Sequence, residues 1–140
     1  MVPLSATAAL QLPVRLHGIQ LGRPTDVLLD TETWHAVGYV VHCGDDSTRF
    51  LPFAACQTNV DEIVVQSALM LLEDVGFYKK RGSSFRSLIG GDVAGGGTLR
   101  DVVLGSAGLI TELDVADEAG TRRRIPAAGR AVVATRASAA

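Results

Sequence analysis

The stretch TDVLLD from Thr25 has a counterpart in RDVVLG from Arg100, which sets Asp26 against Asp101 at an offset of 75 positions. Further along, RFLPFAA from Arg49 lines up with RRIPAAG from Arg123, and Pro52 meets Pro126 at an offset of 74. Between these, AVGYVV from Ala36 corresponds to LITELDV from Leu109, placing Val37 and Val40 against Ile110 and Leu113. Three ordered matches at nearly one offset predict a tandem duplication of a unit of about 55 to 60 residues. Whatever one half folds into, the other should fold into as well.

The content of the halves predicts strands. Short β-branched runs recur between Gly, Asp, Pro and Thr clusters: 27–29, 37–41, 49–51, 63–65, 102–104, 109–115, 123–125 and 131–134. That rhythm belongs to a small barrel or sandwich. Only SALMLLEDVGFYKK, from Ser67, argues for helix, with Ser67 placed as an N-cap, Leu69, Leu72 and Val75 spaced along one face, and Gly76 as a stop. It falls where a linker between the halves belongs.

At 140 residues, with 47% hydrophobic side chains, the chain is long enough to bury a core. A formal charge of −2 gives no overall basic field of the sort that marks a dedicated nucleic-acid binder. The N-terminal stretch lacks the charged start and sustained apolar run of a secretory signal, and no apolar run is long enough to span a bilayer. The reading is a cytoplasmic protein, whose two cysteines, Cys43 and Cys56, are then reduced thiols.

The segments LHGIQLGRPTDVLLD, AVGYVV, RFLPFAAC and DEIVV, in that order, resemble the PRC-barrel family, the small β-barrel of the photosynthetic reaction-centre H subunit and of a ribosome-maturation factor. The resemblance covers residues 12–67 well and 83–135 more loosely. It implies a mainly β protein of two tandem small PRC-type barrels joined by a short helical linker. The units are then 12–67 and 83–135, the linker 68–82, and 136–140 a tail. Asp26 and Asp30 can hold backbone amides at turns, and Pro52 and Pro126 suit strand ends or bulges of a tightly curved barrel.

The chain departs from the family at the turn before AVGYVV. Relatives carry Gly there, where this sequence has Trp34 followed by His35; the second half keeps a glycine, Gly108. Two readings of Trp34 stay open. It folds over its own barrel or caps the neighbouring one, or Trp34 and His35 anchor a partner surface, as exposed Trp often does.

Two basic clusters follow. Lys79, Lys80 and Arg81 stand beside Phe77 and Tyr78, and Arg122, Arg123 and Arg124 lie in a predicted strand. Cations beside aromatics are an ingredient of RNA binding, but a solvated linker and a solvated edge strand account for them first. Alternation sends Arg122 and Arg124 to one face and Arg123 to the other. An acidic protein or a membrane surface is the remaining use.

No catalytic constellation emerges. Cys43, Cys56, His35 and His42 have no metal-ligand spacing, and His42 and Cys43 point to opposite faces of a strand. Asp45 and Asp46 fit a hairpin turn. The run IGGDVAGGG from Ile89 lacks the Lys-Ser/Thr ending of a phosphate loop and reads as a hairpin turn. The expectation is therefore a non-enzymatic intracellular binding or adaptor module, without cofactor or metal, that docks on a protein assembly, with a homodimer as one arrangement. The alternative is an RNA- or ribosome-associated maturation factor. The candidate partner-binding residues are Trp34, His35, Phe77, Tyr78, Lys79, Lys80, Arg81, Arg122 and Arg124.

Overall fold

A computed structural model describes residues 4–133. In chain order the elements are β1 (Leu4–Ser5), α1 (Ala6–Ala9), β2 (Val14–Leu16), β3 (Ile19–Asp30), β4 (His35–Cys43), β5 (Thr48–Pro52), β6 (Cys56–Thr58) and β7 (Ile63–Val65). Then come α2 (Val75–Lys79), β8 (Ser83–Ser84), α3 (Phe85–Leu88), β9 (Asp92–Val93), β10 (Gly97–Leu104), β11 (Ile110–Ala116), β12 (Arg122–Pro126) and β13 (Val132–Val133). The protein is mainly β, with a sheet curled as a half barrel. The expected strand at 131–134 forms over Val132–Val133, and its last residue, with the end of the second expected unit and the tail, lies outside the described residues.

Two sheets divide the chain. The first runs β5-β4-β3-β2-β7-β6 and the second β12-β11-β10-β9-β13. In both, three long strands pair antiparallel in sequence order, β3-β4-β5 and β10-β11-β12. Alternation sorts the first sheet's side chains: Val27, Leu29, Tyr39, Val41 and Leu51 enter the main core, and Leu28, Val40 and Phe50 face the other way. Leu99, Val102, Leu104, Leu113 and Val115 of the second sheet join that same core.

The halves exchange their leading segments. β1 pairs with β10 of the second sheet, Leu4 opposite Leu104, while β8 pairs with β3 of the first, Leu28 opposite Ser84. Each strap turns into a single helical turn capped by a serine. Ser5 Oγ accepts the Ala8 amide at 3.1 Å and Ser84 Oγ accepts the Ser87 amide at 3.3 Å. Each is then held by the aspartate of the opposite half. Asp101 Oδ1 accepts the Thr7 amide at 3.2 Å, and Asp26 Oδ1 accepts the Arg86 amide at 3.2 Å. Asp26 also accepts from the Ser84 hydroxyl. Both aspartates bond the next amide along, Val27 at 2.8 Å and Val102 at 2.9 Å, each at a break in its strand's register and not at the turn expected of Asp26.

The stretch from Ser67 does not form one helix. It makes a 3₁₀ turn at Ala68–Met70, capped by Ser67 Oγ, and then α2, capped by Asp74. Between them Leu72 is drawn out to exchange two backbone hydrogen bonds with Phe50, at 2.8 and 2.7 Å. Helical spacing of the leucines loses to this bridge onto the edge of β5. Gly76 lies inside α2 instead of ending it. The whole connection forms a band over the outer face of the first sheet, where Leu72, Val75 and Tyr78 pack against Leu28, Val40 and Phe50.

The smaller expectations resolve simply. Asp45 and Asp46 sit in the β4–β5 turn, with Asp45 accepting from the Ser47 amide and hydroxyl; those bonds hold its carboxyl below its ordinary range. The glycine-rich run bends into a hairpin in which Val93 pairs with Gly97. Cys43 is buried and the preceding His42 exposed, as strand alternation requires.

Candidate functional site

Trp34 does not stand at the surface. Its side chain is 2% exposed and lies in the main core, and its indole Nε1–H donates to the Arg130 carbonyl at 3.0 Å. The turn that presents it meets the second half directly, because the Ile110 amide donates to the Trp34 carbonyl at 2.8 Å. The anchor reading of this side chain is therefore corrected: Trp34 closes the seam between halves. His35, half-buried, opens β4, holds the Thr33 hydroxyl through Nδ1 at 2.5 Å and forms a bridge with Leu109.

Gly108, the sequence counterpart of Trp34, faces the same seam. Trp34 has φ of 51° and Gly108 of 80°, both in the left-handed region that only glycine enters freely. A Cβ on Gly108 would stand 3.0 Å from the Phe53 ring and 3.2 Å from the Ala36 carbonyl. Phe53 itself is matched in the second half by Ala127. Trp34 bonds Arg130, which closes the turn begun by Ala127, and Phe53 fills the space over Gly108.

Beside Phe53 and that glycine turn opens a groove of about 790 Å³. Phe53, Ala54, Val60 and Ala107 give it an apolar character, and Cys56 to Asn59 form its other wall. Val60 is 58% exposed. None of its lining side chains is a carboxylate, histidine or ammonium. The Cys56 thiol, a weak donor to the Phe53 carbonyl, is pushed up to about 12 by burial and stays protonated at neutral pH. At the back, the Tyr39 and Thr58 hydroxyls share a hydrogen bond of 2.7 Å, and burial lifts the Tyr39 phenol above its usual range.

The wall formed by β6 is a sheet edge. In its ladder with β7 the Asn59 amide donates to Glu62 at 2.8 Å, whereas the Ile63 amide turns away to Pro13 at 2.9 Å. Thr58 opposite Ile63 is thus the non-hydrogen-bonded pair. Its N–H and C=O consequently point away from β7, and Thr58, only 4% exposed, is among the residues that line the groove. Nothing in the sequence marked these residues, because the groove joins a segment at 53–60 to Ala107, far along the chain.

The aromatic and basic candidates lie elsewhere, on the connecting band. Tyr78 stacks on Phe50 with ring centroids 4.3 Å apart, and Phe77 meets Tyr78 edge-on at 5.1 Å. The Arg81 guanidinium lies over the Phe77 ring at 4.2 Å. Lys79 and Lys80 are exposed. Lys80 and Arg81 share a polar cleft with Asp30 and Glu32. There the amides of Thr33 and Glu32 hold the Asp30 carboxyl below its ordinary range, aided by its proximity to His35. Arg122 and Arg124 are exposed on β12, at the far edge of the second sheet, and Arg122 is paired with Asp114 at 2.8 Å. The two basic clusters thus sit on different sheets.

Among the described residues, no group of three or more His, Cys, Asp or Glu is placed to hold a metal ion, and no helix is long and apolar enough to cross a membrane. No family model matches the chain, and no curated protein matches it.

Proposed function

We propose that the protein is a non-enzymatic binding module of two PRC-type units that docks on a protein assembly by taking an extended segment of its partner into the groove beside β6. One observation carries this reading: an apolar groove runs along a strand edge whose Thr58 main-chain groups face away from their own sheet. An edge of this kind supplies hydrogen bonds to an added strand, and neighbouring apolar pockets select its alternate side chains. The lining supplies contacts and no acid, base or ionised nucleophile, which favours recognition over catalysis. The two-unit reading rests on the matched order of β3-β4-β5 and β10-β11-β12 and on the reciprocal grip of Asp26 and Asp101 on the opposite straps.

The test is capture of partners by tagged protein, compared with Val60→Asp and Ala54→Arg. Both positions are exposed, so neither change disturbs the core. The reading expects the same discrete proteins with the parent chain and a loss of about tenfold or more with either variant, as for an interface centre. Retention of those proteins by both variants would place the docking surface elsewhere.

A further inference from the structure

The helical turns of the two straps, α1 and α3, line one pocket of about 230 Å³ together with β10. Thr7, Leu10 and Gln11 come from α1 and the residues after it, Phe85, Arg86 and Ile89 from α3 and the residue after it, and Arg100 from β10. Leu10 and Phe85 are buried and Ile89 half-buried, whereas Thr7, Gln11, Arg86 and Arg100 are exposed. The lining therefore joins an apolar part to a polar part that holds two guanidiniums and no carboxylate.

The backbone accounts for both arginines. Pro24 pairs with Val41 and Asp26 with Val40, which leaves Thr25 as an extra residue in β3. Leu99 pairs with Val115 and Asp101 with Asp114, which leaves Arg100 as the extra residue in β10. A bulge of this kind frees main-chain groups from the ladder and re-aims a side chain. The Thr25 carbonyl accepts from Nε of Arg86, so that guanidinium is fixed while its two terminal nitrogens keep no partner among the described residues. The Arg100 side chain forms no hydrogen bond or ion pair among them either. Asp26 and Asp101 are engaged by the amides of Val27, Arg86, Thr7 and Val102 and pair with neither guanidinium. A third guanidinium, that of Arg23, donates to the Gln11 carbonyl at 3.0 Å and adds to the positive charge. In the cleft at Lys80 and Arg81, by contrast, Asp30 and Glu32 offset the cations.

From this arrangement we infer that the pocket is a binding site for a small phosphomonoester, with the phosphoryl group on Arg86 and Arg100 and the organic part on Leu10, Phe85 and Ile89. Guanidinium groups meet phosphate oxygens with paired N–H donors. Two positive charges suit a ligand close to a dianion, which a phosphomonoester is at neutral pH and a simple carboxylate is not. The Thr7 hydroxyl and the Gln11 amide add neutral donors to the same lining. The pocket has the scale of a small molecule and not of a nucleic-acid strand. Its lining shares no residue with the groove at β6, so the site stands independently of the partner proposed there.

The experiment is calorimetric titration of the full chain with phenyl phosphate at about pH 7.5, above the second phosphate pKa of about 6. Saturable binding at one site per chain is expected. It should be tighter than for inorganic phosphate, which lacks the apolar part, and tighter than for benzoate, which carries a single charge. Arg100→Gln should weaken it roughly tenfold, the scale of one charge-assisted contact, and Arg86→Gln by a similar factor. Arg100 is the decisive position, because an exposed side chain without a partner in the fold can be exchanged with little effect on stability. Arg124→Gln, which removes an exposed arginine on β12, should change nothing. Affinity should fall as the pH drops below about 6 and the ligand loses a charge. Absence of saturable binding overturns the inference. So do equal affinity for benzoate, binding that withstands Arg100→Gln, and an equal loss in Arg124→Gln.

Discussion

Trp34 occupies a backbone conformation with φ of 51°, which costs a non-glycine residue roughly 1 kcal/mol or more. The cost is tolerated because the side chain is buried and its indole N–H is satisfied by the Arg130 carbonyl, 96 residues away. Trp34→Ala should therefore lose about 3 to 5 kcal/mol of stability in chemical denaturation, from the cavity and the unpaired carbonyl together. A loss below about 1 kcal/mol would mean that the seam does not depend on this residue. The sequence could mark Trp34 as unusual, since a turn that takes glycine in the other half here takes the largest side chain. It could not show where the ring goes. A turn is exposed by default, and this one is covered by a second half whose approach no local pattern encodes.

At the scale of elements the strands were legible and the straps were not. The β-branched runs at 27–29, 37–41, 63–65 and 102–104 lie within strands because alternation across a half-buried sheet leaves a strong local trace. α1 and α3 span four residues each, too short for periodicity to register, and they are fixed by the opposite half. The connecting band was misread for a related reason: Leu69, Leu72 and Val75 have helical spacing, and the bridge between Leu72 and Phe50 overrides it. Asp30 holds the Glu32 and Thr33 amides at the turn after β3, as expected, whereas Asp26 lies within β3 at a break in register, and the reach of Asp26 and Asp101 to the opposite straps was hidden. Removing Asp101, only 7% exposed, leaves the Thr7 and Val102 amides without their acceptor. Asp101→Ala should cost about 1 to 3 kcal/mol and speed amide exchange at Thr7; Asp26→Ala should do the same at Arg86. Unchanged exchange at both amides would show that the straps are held by strand pairing alone.

For the whole molecule, the two halves differ where they meet. Trp34 reaches the Arg130 carbonyl across the seam, and Phe53 packs close over Gly108. On the Phe53 side, where the second half offers only Gly108 and the small Ala107, the groove opens beside the edge of β6. The matched order of strands in the two sheets has its trace in the sequence, in the ordered pairs Asp26 with Asp101 and Pro52 with Pro126. The groove has no such trace, since it depends on which side chain is missing at a contact between distant segments. Partner binding at that groove, as proposed above, is open to direct test by site-specific photo-crosslinking. A photoreactive benzoylphenylalanine would replace Val60 in the groove or Ile19, an equally accessible apolar residue at 68% exposure outside it. Discrete protein adducts at position 60 and none at 19 are predicted; adducts at both alike, or none at 60, would contradict it.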